Sequence, residues 1–183
     1  IDCLKVKNIN SPYSINWINN RSPDIIFCFG WSRLLNEKLL QITPLGVLGF
    51  HPAKLPRNRG RHPLIWALAL GLESTASTFF QMDANADSGD IVSQVDVDIK
   101  YEDDAASLYL KISDIAQKQL IKILKMLEVG PLKKKKQDLS KVNTWRKRVQ
   151  VDGMIDWRMS SNAIYNLVRA LSKPYVGAHF SYN

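Results

Sequence analysis

Cysteine is nearly absent: Cys3 and Cys28 are the only two in 183 residues. They lie far apart and match no metal-ligand spacing. A zinc ribbon and a disulfide scaffold are therefore excluded as organising principles, and both thiols are expected to stay reduced in a cytosol. Long apolar runs are missing as well. No stretch reaches the roughly 18 apolar residues of a membrane span. The opening IDCLKVKNIN lacks the apolar core of a signal peptide. These absences set the expectation of a cytoplasmic protein with no membrane partner and no metal. Acidic residues are the minority, 17 against 25 Lys and Arg, and the net charge is +8. Much of the excess sits in LKKKKQDLSKVNTWRKR, Leu132 to Arg148. A basic surface attracts phosphate, on nucleic acid or on a phosphorylated small molecule. The run itself reads as a solvated linker. Internal repeats are also lacking. What is present, at 45% hydrophobic residues, can bury a proper core.

The patterning predicts an α/β domain. SINWINNRSP (Ser14 to Pro23) reads as a short helix. DIIFCFG (Asp24 to Gly30) is an apolar run of strand length and reads as a buried parallel strand. SRLLNEKLLQIT carries leucines at positions 34, 35, 39 and 40, a helical stripe over Ser32 to Thr43. GVLGFH (Gly46 to His51) completes a βαβ unit, which demands more parallel strands beside it. PLIWALALGLE (Pro63 to Glu73) is an apolar helix opened by proline. Ala76 to Asp83 and Asp90 to Ile99 are strands, the second alternating and so wet on one face. Asp104 to Glu128 is a long amphipathic helix closed by Gly130-Pro131. Ile155 to Leu171 starts like a strand and becomes a helix, with Ser160 or Ser161 as N-cap. GAHFSYN reads as a strand just beginning. A sheet with so few strands suggests a fragment whose first strands are missing. The expected organisation is a core over 1–131, a basic linker over 132–154 and the start of a C-terminal region over 155–183.

Two loops could carry chemistry. The first is GFHPAKLPRNRGRHP, Gly49 to Pro63, which mixes prolines, glycines, histidines and cations in a way helices and strands rarely tolerate. It follows the C-terminal end of a parallel strand, where ligands bind in open α/β sheets. His51 is thus placed where a catalytic group is expected, although a lone histidine is more often structural. His62 reads as a group that satisfies local backbone. Arg57, Arg59 and Arg61 form a solvated face by default, or hold an anion through paired donors. The second loop is MDANADSGDI, Met82 to Ile91. It reads as a turn, or as a carboxylate that orients a histidine and favours its charged form. It lacks the ligand series of an EF-hand.

The first loop resembles the signature of the folate-dependent formyltransferases, Asn-x-His-x-Ser-Leu-Leu-Pro, then Arg-Gly, a proline and an apolar helix. GLESTASTFFQMDANADSGDIV resembles the same family's second signature, Gly-x-x-x-Thr-Gly-x-Thr, then Met-Asp, then Asp-x-Gly-Asp-Ile. The spacing from His51 to Asp87 is the one the family shows. DGMIDWRMSSNAIYNLVRALSKPYVGAHFSY resembles its linker into the C-terminal region. The likeness runs from about Asp24 to the end. It implies a Rossmann-like parallel-sheet formyltransferase core lacking its first strands, with a linker into a truncated C-terminal region. It implies formyl-tetrahydrofolate as formyl donor, His51 as general acid/base and Asp87 as its partner. It puts the folate against Arg33, Leu34 and Leu35, near Phe29 and Trp31. Asp83, Ala84, Asn85, Ala86 and Asp87 would contact the pterin, largely through backbone groups. Arg61 would steer an anionic substrate.

The chain departs from the family's pattern in three places. The asparagine that polarises the formyl oxygen is Gly49, Ser-Leu-Leu-Pro is Ala53-Lys54-Leu55-Pro56, and the glycine of Thr-Gly-x-Thr is Ala76. Losing an oxyanion donor costs about 100- to 1000-fold in rate. The altered first motif and RGRHP are closer to the amino-sugar members, which implies a small-molecule amine, nucleotide-linked, as substrate. Methionyl-tRNA formylation, with tRNA as partner, is the alternative. A folate-binding module crippled by Gly49 is the second.

Overall fold

The computed structural model describes residues 2–182. In chain order its helices are α1 (Pro12–Asn19), α2 (Glu37–Leu40), α3 (Pro63–Ala69), α4 (Ala105–Val129) and α5 (Ser161–Ala170). Its strands are β1 (Ile26–Cys28), β2 (Val47–His51), β3 (Arg59–Gly60), β4 (Ser74–Gln81), β5 (Ile91–Asp98) and β6 (Thr144–Trp145). Four strands form the central sheet in the order β1-β2-β4-β5. β1 and β2 run parallel, as the βαβ reading requires, with Ile26 opposite Val47 and Cys28 opposite Gly49. β4 pairs antiparallel with β2, and β5 antiparallel with β4. The α/β sheet is therefore mixed, with its parallel pair at one edge. β3 and β6 make a second, two-stranded parallel sheet that joins the first loop to the basic segment. Among the described residues no helix is long and apolar enough to cross a membrane.

Alternation along β2 sends Leu48 and Phe50 to one face and Val47, Gly49 and His51 to the other. Leu48 and Phe79 meet Ile123 of α4, with Phe27 and Phe50 beside them. Val47 meets Leu35 and Leu39, backed by Ile15, Ile18 and Cys28. Burial pushes the Cys28 thiol pKa up, which disfavours the reactive thiolate. Each fully buried Leu, Ile or Phe here contributes about 1.5–3 kcal/mol.

The leucine stripe over Ser32 to Thr43 yields only α2, four residues long. Two asparagines take the backbone groups a longer helix would need. Asn36 Oδ1 accepts from the Leu39 N–H at 2.9 Å and starts the helix late. Asn10 Oδ1 accepts from the Asn36 N–H, and Asn10 Nδ2 donates to the Leu34 carbonyl, both at 2.9 Å. Such side-chain bonds offer the backbone an alternative to helix. α3 also ends early, at Ala69, because the Leu72 N–H turns back to the Ala67 carbonyl at 2.9 Å.

α5 begins after Ser160, whose hydroxyl accepts from the Ala163 N–H at 3.2 Å. It packs on α3 and α4 in one core cluster, with Leu167, Ala170 and Leu171 against Ile65, Leu68, Leu108 and Ile112. Arg169, 8% exposed, fastens it further. Its Nη1 donates to the carbonyls of Lys100, Tyr101 and Asp103 at 2.9–3.1 Å. Burial pushes the Asp103 carboxyl up, but bonds from Lys111, the Lys100 N–H and Ser107 outweigh it, leaving the pKa below its ordinary value.

Candidate active site

His51 is the last residue of β2, on the strand end that opens onto the first loop. Its ring is nearly buried, with 6% of the side chain exposed. Nε2 lies 2.8 Å from the Asn58 carbonyl. A carbonyl can only accept, so Nε2 carries the proton in the neutral ring. Nδ1 then holds the lone pair. It faces Asp87 Oδ2 at 3.6 Å, too long for a hydrogen bond and close enough for an ion pair once Nδ1 is protonated. The arrangement can take a proton at Nδ1 and hold the resulting charge beside a carboxylate.

Asp87 is held in turn. Its Oδ2 accepts from the Gly60 N–H at 2.8 Å. Its backbone is left-handed, φ 53°, a conformation non-glycine residues keep only when surrounding structure imposes it. Its carbonyl accepts from Gln137 Nε2 at 2.9 Å. Gln137 belongs to the basic segment, which lies along the loop: its lysines are exposed, but its polar residues are tied down. The Arg59 N–H donates to the Asn143 carbonyl at 3.1 Å and the Arg61 N–H to the Trp145 carbonyl at 3.0 Å. The Trp66 indole donates to the Arg146 carbonyl at 3.0 Å. Gly60 makes this approach feasible. Its φ is 101°, and a Cβ there would stand 2.3 Å from the Trp145 carbonyl oxygen.

A cavity of about 640 Å³ opens in front of His51. Phe29, Phe50 and Phe79 form its floor, with Phe29 edge-on to Phe79 at 5.8 Å between centroids. Arg61 and His62 stand on one wall, and Tyr109, Ser113 and Gln117 of α4 on the other. Arg61 Nη1 donates to the Ser32 carbonyl at 2.6 Å, which bridges the β1 and β2 loops. His62 Nδ1 accepts from the Arg148 N–H at 3.2 Å. Burial first, then the charges of Arg61, Lys147 and Arg148, pull the His62 pKa down, which favours its neutral form. Among the described residues no group of three or more His, Cys, Asp or Glu converges as a metal site requires.

The remaining sequence-predicted residues lie apart from this cavity. Arg33 donates from Nη1 to the Lys7 carbonyl at 3.0 Å. Leu34 is exposed, while Leu35 is a core residue at 5% exposure. Leu35 lines a smaller cavity of about 180 Å³ that shares Phe29 and Trp31 with the larger one. Asp83 Oδ1 accepts from the Asn85 N–H at 3.0 Å and from the Ser88 hydroxyl at 2.5 Å. Ala84, Asn85 and Ala86 are exposed at the loop tip. Asn58, Gln137 and Asn143 escaped the sequence reading, since nothing in a lysine-rich run singles out one amide. Tyr109, Ser113 and Gln117 left a signal, a four-residue spacing along one helix face.

Gly49 is buried, and its missing side chain leaves no vacant space. A Cβ there would meet Met82 Cγ and Phe80 Cζ, each at 2.9 Å. Gly49→Asn is therefore expected to force both side chains aside and cost about 1–3 kcal/mol by overpacking. Denaturant unfolding checks this. Turnover should not rise unless Met82→Ala makes room, and a faster single variant would refute the packing account.

The fold and these groups define an α/β protein with a histidine–carboxylate site at the edge of a mixed sheet. Comparison with known proteins narrows the class. The pattern described as Formyl transferase matches residues 7–124, and that of the Formyl transferase C-terminal domain matches 148–183. The chain belongs to the formyl transferase family. It is 39% identical over 180 residues to the bifunctional polymyxin resistance protein ArnA of Wigglesworthia glossinidia brevipalpis, covering 96% of this chain. It spans 27% of that relative's length. Among solved structures it is similar to methionyl-tRNA formyltransferase from Clostridium thermocellum (TM-score 0.80, 22% identity, 98% of this chain and 75% of that one). It is also similar to a 4-N formyltransferase from Francisella tularensis (TM-score 0.78, 21% identity, 91% and 68%). A third is WlaRD, a sugar 3N-formyl transferase solved in the presence of dTDP and 5-N-formyl-THF (TM-score 0.70, 19% identity, 80% and 53%).

Proposed function

We propose that the protein transfers a formyl group from formyl-tetrahydrofolate to the amino group of a nucleotide-linked amino sugar. The observation that carries this reading is the His51 ring. Nε2 is committed to the Asn58 carbonyl, and Nδ1 is left unbonded beside Asp87 at the cavity. The donor supplies an electrophilic formyl carbon. As the new C–N bond forms, Nδ1 takes the proton from the attacking amine, and Asp87 offsets the charge on the ring. On collapse, His51 returns that proton to the departing folate nitrogen. A positioned imidazole supplies about 100- to 10,000-fold in such transfers.

The aromatic floor suits the flat rings of a pterin or a nucleobase. The cavity volume falls within the range of small-molecule sites, about 300–1000 Å³. From that cavity the folate would extend past Phe29 and Trp31 toward the smaller cavity, which Leu35 lines, and toward the Asp83–Asp87 loop, and Arg61 would meet a phosphate of the acceptor. The choice of a sugar over tRNA is supported by the larger cavity, whose volume suits a small acceptor. The exposed lysines at 133–136 favour tRNA as the second reading. Gly49, which offers no oxyanion donor, favours folate binding without turnover as the third.

The test incubates the protein with formyl-tetrahydrofolate and either a panel of sugar-nucleotide amines or charged initiator tRNA. Formylated sugar nucleotide is the expected product. Formylated tRNA alone would move the reading to the second. Folate binding with no product would leave the third.

A further inference from the structure

The two groups that flank the His51 ring, Asn58 and Asp87, come from different loops. Each is held by a side-chain amide from one short segment after α4. Gln137 Nε2 donates to the Asp87 carbonyl at 2.9 Å and the Gly89 carbonyl at 2.7 Å. Gln137 Oε1 accepts from Arg59 Nη2 at 2.7 Å and Nε at 3.2 Å. Asn143 Oδ1 accepts from the Asn58 N–H at 2.8 Å, and its Nδ2 donates to Asn58 Oδ1 at 3.2 Å.

We propose that residues 137–143 form a clamp that aligns the imidazole, with Gln137 as the positioning residue for Asp87 and Asn143 for Asn58. This rests on the reading of His51 as the proton acceptor. An amide meets the chemistry at 137. A guanidinium only donates, and carbonyls only accept, so the residue between them must accept on one side and donate on the other. That requirement also fixes which way the amide points. Glutamate would press a carboxylate against two carbonyls, and lysine would press an ammonium against Arg59. Besides the Gly60 N–H on Asp87 Oδ2, the Asp87 loop is steadied at its base, where the Gln81 N–H meets the Asp90 carbonyl. Its tip, Ala84 to Ala86, is exposed, and the side-chain bonds of Asp83 within it are local. Arg59 is itself 9% exposed, so Gln137 hangs from a buried anchor.

The clamp is tested in the full chain with Gln137→Met, which keeps the length and loses the amide, and with Gln137→Glu. Both should lower kcat about 10- to 100-fold, the cost of a small misalignment, with the donor KM changed less than about twofold. The ring-nitrogen NMR signals of His51 should move, while those of His179 stay. In an Asp87→Asn background the Gln137→Met loss should shrink below about threefold, since residues acting as a unit are not additive. A purely structural role would give the same loss in either background. That result, or unchanged His51 signals in Gln137→Met, would overturn the clamp. If the unaltered chain transfers no formyl group, the catalytic reading fails by itself, and the His51 signals alone decide whether the clamp exists.

Discussion

His51→Ala is expected to lower formyl transfer about 100- to 10,000-fold while binding of formyl-tetrahydrofolate stays within about twofold. The asymmetry follows from the ring's surroundings. Among the described residues the ring hydrogen-bonds to the Asn58 carbonyl alone, and its other nitrogen faces Asp87 at 3.6 Å without bonding it. Neither contact is with the aromatic floor or with the Asp83–Asp87 backbone, where a folate would lie. His51→Gln keeps most of the volume and cannot take up a proton at neutral pH, so it should fall as far as alanine does. Single-turnover kinetics and donor titration by fluorescence would separate the two quantities. Equal loss of binding and rate would make His51 a structural residue of the pocket.

Gly60→Val should have the largest effect on stability, about 2–4 kcal/mol. Two causes add. The φ of 101° is strained for any residue with a Cβ, most of all a branched one. The added Cβ would also sit 2.3 Å from the Trp145 carbonyl oxygen, so β6 must leave β3. Turnover should fall further than the folded fraction does, because the Gly60 N–H holds Asp87 Oδ2. Denaturant unfolding with parallel rate measurements reads both. A variant with unchanged midpoint and rate would mean that the two short strands need not pair.

The strands and the long helix were legible because their signals are local. DIIFCFG and GVLGFH are apolar runs at strand length, and α4 carries its own stripe and an acidic N-cap, Asp104. The helix expected over Ser32 to Thr43 shrank because Asn10, more than twenty positions away, competes for its backbone. The proximity of His51 to Asp87 was anticipated from motif spacing, and the two do face each other at 3.6 Å. What periodicity could not show was the segment from Gln137 to Trp145. Its composition reads as a linker, and its contacts reach back 78 positions to Arg59 and 85 to Asn58. No window of local pattern spans such distances. Arg169 was hidden for the same reason, since its three carbonyl partners lie 66–69 positions upstream.

Those separations bear on the order in which the molecule forms. The β4–β5 hairpin and α4 close on near neighbours, whereas the clamp must wait for loops of about eighty residues to close. Contacts of that reach tend to form late in folding. A growing chain thus carries His51 well before the residues proposed to align it have been made. On the proposed clamp, competence arrives late, with a segment that lines none of the His51 cavity.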